Sequence, residues 1–227
     1  MTILNIETST NVCSVALSTN GKCIFSRMNA DGMNHATMLS PFIDEAFRFL
    51  APNKPDAIAV SGGPGSYTGL RIGVSTAKGL SYGLEVPLIA IDTLEIMALM
   101  AKNYIVNQLE NNLLCAMIDA RRMEAYSAFY NSNNELVRNV SADIIDENSY
   151  ADLLENNTIY FFGNGAPKCK AVLTHTNAIF VDDIVPLAEN MISLAEKAFF
   201  ERNFADVAYY EPFYLKEFHT TAPKSIN

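Results

Sequence analysis

The chain has 227 residues, 49% of them hydrophobic, which is enough for one large or two small domains with a substantial core. Its formal net charge is −9, and this argues against direct nucleic-acid binding, which needs clustered Lys and Arg. Four scattered cysteines, three histidines without an H-x-x-x-H pair and no run of about 18 apolar residues predict a reduced cytoplasmic protein with neither a metal site nor a membrane span.

The first residues predict a three-stranded meander. Apolar and small residues alternate over 2–19 around a polar turn, and Asn20-Gly21 introduces a third strand over 22–28. A meander is not the βαβ start of a dinucleotide-binding domain. The first turn begins with a carboxylate and two hydroxyls that could close over a phosphate or a metal, or could simply be solvated: Glu7, Thr8 and Ser9.

The next segment predicts a helix over 33–50, with apolar residues spaced three and four apart. Pro41 lies inside this pattern and should kink the helix or mark a late start. The apolar face carries more bulk than one contact within the lobe requires. It is therefore a candidate partner interface, with Met38, Phe42 and Phe47 at its centre.

Residues 56–83 predict a strand, a glycine-rich loop and a helix, an arrangement that directs free N–H groups at an anion. Tight packing is the alternative explanation for such a loop. The Walker A pattern is absent, because no Gly-Lys-Ser/Thr follows the loop. The candidate phosphate-binding residues are Gly63, Gly65, Ser66, Thr68 and Gly69.

The helix of this unit has a stripe of small residues four apart, which would let a second helix approach closely. Packing within the same domain would explain the stripe, and so would a subunit interface. The interface hypothesis places Gly69, Gly73 and Ala77 against a partner, beside the face of the 33–50 helix.

A strand over 86–91 and a helix capped by Asp92 complete the first half, and the helix should reach about Asn107. The polar segment 108–112 predicts the boundary between two lobes, 1–107 and 108–227.

The second half repeats the order of the first. We expect a hairpin over 113–130, strands at 138–145, 159–162 and 178–181, short helices after Ser149 and Pro167, an amphipathic helix over 187–202 and an aromatic tail. The last helix and the tail could pack back on the first lobe.

Several stretches, in this order, resemble the TsaB (YeaZ) family: ILNIETSTNVCSVAL, NHATMLSPFIDEAF, SGGPGSYTGLRIGVSTAKGLSYGLEVPLIAIDTLE, IDARRMEAYSAFY and PFYLK. The resemblance implies an α/β, actin-like (ASKHA, ribonuclease H-like) fold of two lobes, each a mixed sheet flanked by helices. It also implies a subunit of the machinery that makes N6-threonylcarbamoyladenosine next to the anticodon of tRNA.

The same resemblance implies a non-catalytic role. The chain would pair with the transferase TsaD, help to recruit the ATPase TsaE, form a homodimer when alone and reach tRNA only through the complex. ATP would be used by the complex, with no cofactor required by this chain. TsaD carries a metal-binding histidine pair where this sequence has Thr93 and Met97, and neither side chain replaces an imidazole at a metal.

Two enzymatic alternatives remain at this point. The first is an independent ATP-dependent enzyme of the actin-like fold, with Glu7, Thr8, the glycine loop and Asp119 around a Mg-nucleotide. The second is a nicotinamide-dependent oxidoreductase, because Gly63, Gly65 and Gly69 approximate a dinucleotide fingerprint and Asp92 follows the next strand. The sequence does not decide whether the isolated chain binds a nucleotide.

Overall fold

A computed structural model describes residues 1–32, 34–105 and 112–215. It contains two five-stranded mixed sheets. The first sheet has the strand order β3-β2-β1-β4-β5, and its strands are β1 (Thr2–Glu7), β2 (Cys13–Thr19), β3 (Lys22–Asn29), β4 (Ala57–Gly63) and β5 (Leu88–Asp92). The first three strands are antiparallel, and β4 and β5 extend the sheet in parallel. The predicted meander and βαβ unit are both confirmed.

The second sheet repeats this arrangement, with the order β8-β7-β6-β9-β10. Its strands are β6 (Asn112–Asp119), β7 (Glu124–Tyr130), β8 (Leu136–Ile144), β9 (Thr158–Phe162) and β10 (Ala178–Val181). Again an antiparallel meander is followed by two strands parallel to its first strand. The duplicated two-lobe, actin-like α/β fold is therefore confirmed.

Within the described residues, six helices flank the sheets. They are α1 (His35–Leu50), α2 (Tyr67–Leu84), α3 (Thr93–Tyr104), α4 (Ala151–Asn156), α5 (Ala166–Cys169) and α6 (Ile192–Phe200), and a 3-10 turn (Ala188–Met191) precedes α6. Within the described ranges, no helix is long and apolar enough to cross a membrane.

Both faces of the central strands β1, β2 and β4 are buried, as near-continuous apolar strands require, whereas the edge strand β3 is largely exposed. Alternate residues such as Leu4 and Ile6 face α1 and α2, whereas Ile3 faces the other layer, which contains the 3-10 turn and α6. Helix α3 packs one side against the first lobe through Ile96 and another against β6 of the second lobe through Met97. Helix α3 therefore packs between the two sheets.

Some local predictions differ from the structure. Helix α1 runs through Pro41, which is exposed in its second turn, so the prediction of a late helix start is wrong. The helix predicted over 187–202 begins as the 3-10 turn and becomes α-helical only at Ile192. Met33, the expected end of α3 at Asn107 and most of the proposed 108–112 boundary lie outside the described residues, so the lobe boundary stays a prediction.

Candidate functional site

The two turns predicted to hold phosphate lie against each other. Strands β1 and β4 are parallel neighbours, and their carboxyl ends share one edge of the sheet. The turn after β1 and the glycine loop after β4 therefore meet at this edge. We call the turn 8–12 the first turn and the segment 63–66 the glycine loop.

The contacts between them are direct. The Ser66 N–H donates to the carbonyl of Ser9 over 2.6 Å, and the Thr8 hydroxyl donates to the carbonyl of Gly69 over 2.9 Å. The Ser66 side chain caps α2 by accepting from the Gly69 N–H. Polar groups that could have faced a phosphate are thus bonded within the lobe.

The glycines of this region allow the first turn to approach. A Cβ on Gly65 would lie 2.3 Å from the Ser9 carbonyl oxygen, and one on Gly69 would lie 2.1 Å from that of Thr8. A Cβ on Gly73 would lie 2.1 Å from the Thr8 hydroxyl oxygen. These separations are far below van der Waals contact. The small-residue stripe of α2 is therefore explained by packing within the lobe.

Glu7 ends β1 and is fully buried beneath the first turn. Its Oε1 accepts from the N–H and the hydroxyl of Ser9, each over 2.5 Å. Burial raises the pKa of Glu7 to about 7, against hydrogen bonds from Ser9, Ser61 and Thr8 that lower it. Around neutral pH this carboxyl is therefore close to half protonated.

The structure brings together most of the predicted phosphate-binding residues. Glu7, Thr8, Ser9, Gly65, Ser66 and Gly69 form one cluster. Gly63 contacts the C-terminal segment instead, and Thr68 is exposed on the first turn of α2. Nucleotide binding by these residues stays a prediction, and in this conformation the glycine loop is closed against the first turn.

A C-terminal strap, residues 205–215, covers the outer side of the glycine loop. The Phe213 N–H donates to the Gly62 carbonyl over 2.8 Å, and Lys78 Nζ donates to the Tyr210 carbonyl over 2.8 Å. A Cβ on Gly62 would lie 2.2 Å from the Tyr210 hydroxyl oxygen. The sequence led us to expect that the tail could pack back on the first lobe, but it did not identify the glycine loop as the contact, for which the adjacent Gly62 and Gly63 are a signal.

The second lobe has an equivalent pair of turns. The Asp119 N–H donates to Asn164 Oδ1 over 2.9 Å, and the Asp119 carboxylate forms an ion pair with Lys168. A Cβ on Gly165 would lie 2.9 Å from the carbonyl carbon of Ile118. Asp119, the proposed Mg-nucleotide ligand of the ATP-dependent alternative, is thus engaged by a lysine of its own lobe.

The two positions at which the family resemblance places the metal-binding histidines of TsaD lie inside this protein. Thr93 and Met97 are both fully buried in α3. Met97 packs with Leu94 and Ala98 in the core between α3 and the second sheet, and a Cβ on Gly163 would lie 2.2 Å from its methyl carbon. This space is therefore filled by apolar packing.

The predicted interface residues need correction. Phe42, Gly69, Gly73 and Ala77 are buried, because they face the sheet or the first turn of their own lobe. The prediction that they contact a partner is wrong. Met38 and Phe47 are half-buried and also pack against the core of the first lobe, so their part in an interface stays a prediction.

The exposed face of α2 carries a different small-residue stripe, formed by Ser75, Gly79 and Gly83, which we call the outer stripe. A Cβ on Gly79 or Gly83 would meet no atom of the described part of the chain within 4 Å. Beside the outer stripe, Tyr82 is 81% exposed. A shallow groove of about 690 Å³ lies here, lined by Lys78, Gly79, Tyr82, Asp206, Val207 and Ala208.

Comparisons with known proteins agree with this arrangement. The family model described as TsaD: tRNA N6-adenosine threonylcarbamoyltransferase matches residues 31–214. The chain is 32% identical to the tRNA threonylcarbamoyladenosine biosynthesis protein TsaB of Haemophilus influenzae, over 95% of this chain and 94% of that protein. It is 31% identical to TsaB of Escherichia coli over 95% of each chain. The solved structure of YeaZ from Pseudomonas aeruginosa matches with a TM-score of 0.81 and 27% identity, over 94% of this chain and 99% of that one.

Proposed function

The chain belongs to the TsaB family of tRNA threonylcarbamoyladenosine biosynthesis proteins, and from this membership we propose that it is the non-catalytic partner subunit of the threonylcarbamoyltransferase TsaD. It pairs with TsaD in the cytoplasm and helps to recruit TsaE, and it pairs with a second copy when TsaD is absent. The complex uses ATP and contacts tRNA, and this chain itself requires no cofactor.

The arrangement of the first lobe supports a non-catalytic role. The glycine loop bonds to the first turn, and the strap covers its other side. Thr93 and Met97 occupy the core where the transferase would need imidazoles. The phosphate loops of the fold therefore stabilise the lobe in this chain.

The observation that carries the pairing role is Gly79. It lies exposed in the interior of an 18-residue helix, where glycine costs about 0.5–1 kcal/mol relative to alanine. Unlike Gly69 and Gly73, it has no neighbour among the described residues that would exclude a Cβ. Close approach of a partner helix gives a reason for a bare helix surface at this position. The outer stripe of α2, with the exposed face of the adjacent α1, is accordingly the pairing surface.

The test is co-purification of Gly79→Leu with TsaD from the same organism, followed by light scattering after size exclusion. Leucine meets open space here and favours helix, so the monomer should remain folded. Overpacking at the interface should weaken the complex about tenfold or more. Gly79→Ala is the matched control and should retain the complex. A leucine variant that pairs with TsaD as well as the parent chain would refute the pairing surface.

A further inference from the structure

A small cavity of about 220 Å³ lies at the junction of the two lobes, away from the glycine loop contacts. The first lobe contributes Asp92 and Glu95, from the first turn of α3. The second lobe contributes the β7–β8 hairpin, with the lining residues Ala128, Tyr130, Asn134, Leu136, Asn139 and Val140. Its volume is below the roughly 300–1,000 Å³ of ordinary small-molecule sites, so it suits a ligand of a few heavy atoms.

Two carboxylates line this cavity, those of Asp92 and Glu95. Asp92 Oδ1 caps α3 by accepting from the N–H groups of Leu94 and Glu95, and no hydrogen bond within the described residues uses its Oδ2. Neither carboxylate is in an ion pair there, although the charge of Lys197 acts on Glu95 from α6. Burial raises the pKa of Asp92 and of Glu95. Two acidic groups thus share a desolvated space, which is costly for both when charged.

Two further polar residues line the cavity. The side chain of Tyr130 is only 4% exposed. The Oδ1 atom of Asn134 is buried and has no hydrogen-bond partner among the described residues. Buried polar groups are ordinarily satisfied, and a bound molecule is one way to satisfy them. The unpaired Asn134 oxygen is an indication of a ligand that is independent of the acidic pair.

The chemistry of the lining selects the kind of ligand. Carboxylate and amide oxygens accept hydrogen bonds, so the ligand must present several N–H donors and a positive charge. Leu136 and Val140 offer apolar surface for a short methylene chain. A metal ion fits less well, because the described residues contain no group of three or more His, Cys, Asp or Glu able to hold one.

We propose that the inter-lobe cavity binds a small organic cation, a protonated amine or guanidinium, through Asp92, Glu95, Tyr130 and Asn134. The cation neutralises the paired carboxylates and satisfies the buried oxygens. Since the site takes one wall from each lobe, the bound cation also links α3 to the β7–β8 hairpin. This proposal does not depend on the pairing role of the chain.

The test is calorimetric titration of the full-length chain with agmatine and with putrescine, together with thermal unfolding. We expect saturable binding and a raised Tm. The uncharged analogue 1,4-butanediol and MgCl₂ should give neither effect. Failure of both cations to bind, or equal binding of Mg²⁺ through the same residues, would overturn the proposal.

Substitutions of the cavity residues test whether the cation binds there. Glu95→Gln should weaken agmatine binding at least about tenfold, since it removes one charge-assisted contact. Asp92→Asn should do the same while keeping a residue that can cap α3. Glu155→Gln changes the net charge equally on the exposed surface of α4 and should leave binding unchanged. Binding that is identical in the parent chain and both cavity variants would place the cation elsewhere and refute the site.

Discussion

Gly73, in the middle of α2, lies directly against Thr8, the residue that follows β1. A Cβ on Gly73 would be 2.1 Å from the Thr8 hydroxyl oxygen, which in turn donates to the carbonyl of Gly69. The same helix carries Gly79 on its opposite, exposed side, where a Cβ would meet nothing. The packing of the first lobe therefore requires a glycine at position 73 of this helix but not at position 79.

This difference predicts opposite effects of the same substitution. Gly73→Ala should lower the free energy of unfolding by about 1–3 kcal/mol, because the new methyl group overpacks the contact with Thr8. Gly79→Ala should raise it by about 0.5–1 kcal/mol through helix propensity. Urea denaturation of the two variants and the parent chain measures both. Equal stability changes at the two positions would contradict the assigned packing.

The raised pKa of Glu7 predicts that the free energy of unfolding depends on pH. Its folded pKa of about 7 exceeds the ordinary 4.5, so the native state holds the proton more tightly than the unfolded chain. The stabilising contribution is complete below about pH 4.5 and is lost as the pH rises through 7. Relative to Glu7→Gln, the parent chain should therefore lose about 2–3 kcal/mol of stability between pH 5 and 8.

The measurement is denaturant unfolding of both proteins across that range of pH. The difference between them isolates Glu7, since the other titrating groups are shared. A difference that does not vary with pH would show that Glu7 titrates normally. Glu147→Gln, at an exposed position, serves as the charge-matched control and should follow the parent chain.

The contacts of the strap predict that its removal destabilises the first lobe. A chain ending at Phe204 lacks the hydrogen bonds from Ala205 to Leu88 and from Phe213 to Gly62, and it also uncovers the glycine loop. Compared with a chain ending at Leu215, it should unfold at a lower Tm and be cut faster by protease near residues 62–66. Equal Tm values and equal cleavage rates would mean that the strap contributes nothing to the first lobe.

The closed glycine loop predicts that the isolated chain has little affinity for nucleotides. Calorimetry with Mg-ATP at millimolar concentration should give no saturable heat, because the Ser66 N–H and the Thr8 hydroxyl are already bonded within the lobe. Stoichiometric binding that Gly65→Ala abolishes would contradict this and favour the ATP-dependent enzyme instead.

Much of the fold follows from local pattern. The alternation in β1 and β2, the Asn20-Gly21 turn and the glycine-rich connection before α2 each specify their own local structure. The repeated order of strand types predicts two related lobes. The sequence also places an acidic, hydroxyl-rich turn and a glycine loop after two of these strands, and the ATP-dependent alternative grouped Glu7 and Thr8 with the glycine loop.

The orientation of the small residues could not be predicted from their spacing. Gly69, Gly73 and Ala77 share one stripe of α2, and Ser75, Gly79 and Gly83 share another, with the same interval of four. Periodicity gives the stripes, but only the position of the helix on the sheet decides which one faces Thr8. The interface prediction was made without that orientation, and it assigned the inward stripe to a partner.

The sequence by itself determined the family, the duplicated strand order and the residue types at the phosphate loops, because these depend on local spacing and on motifs. Only the tertiary structure decided that the glycine loop is bonded to the first turn, that the strap covers it and that Asp92 and Glu95 face Tyr130 across the lobes. Each of these contacts joins segments far apart in the chain. Burial and hydrogen-bond pairing are set there by how the layers pack, which no local pattern encodes.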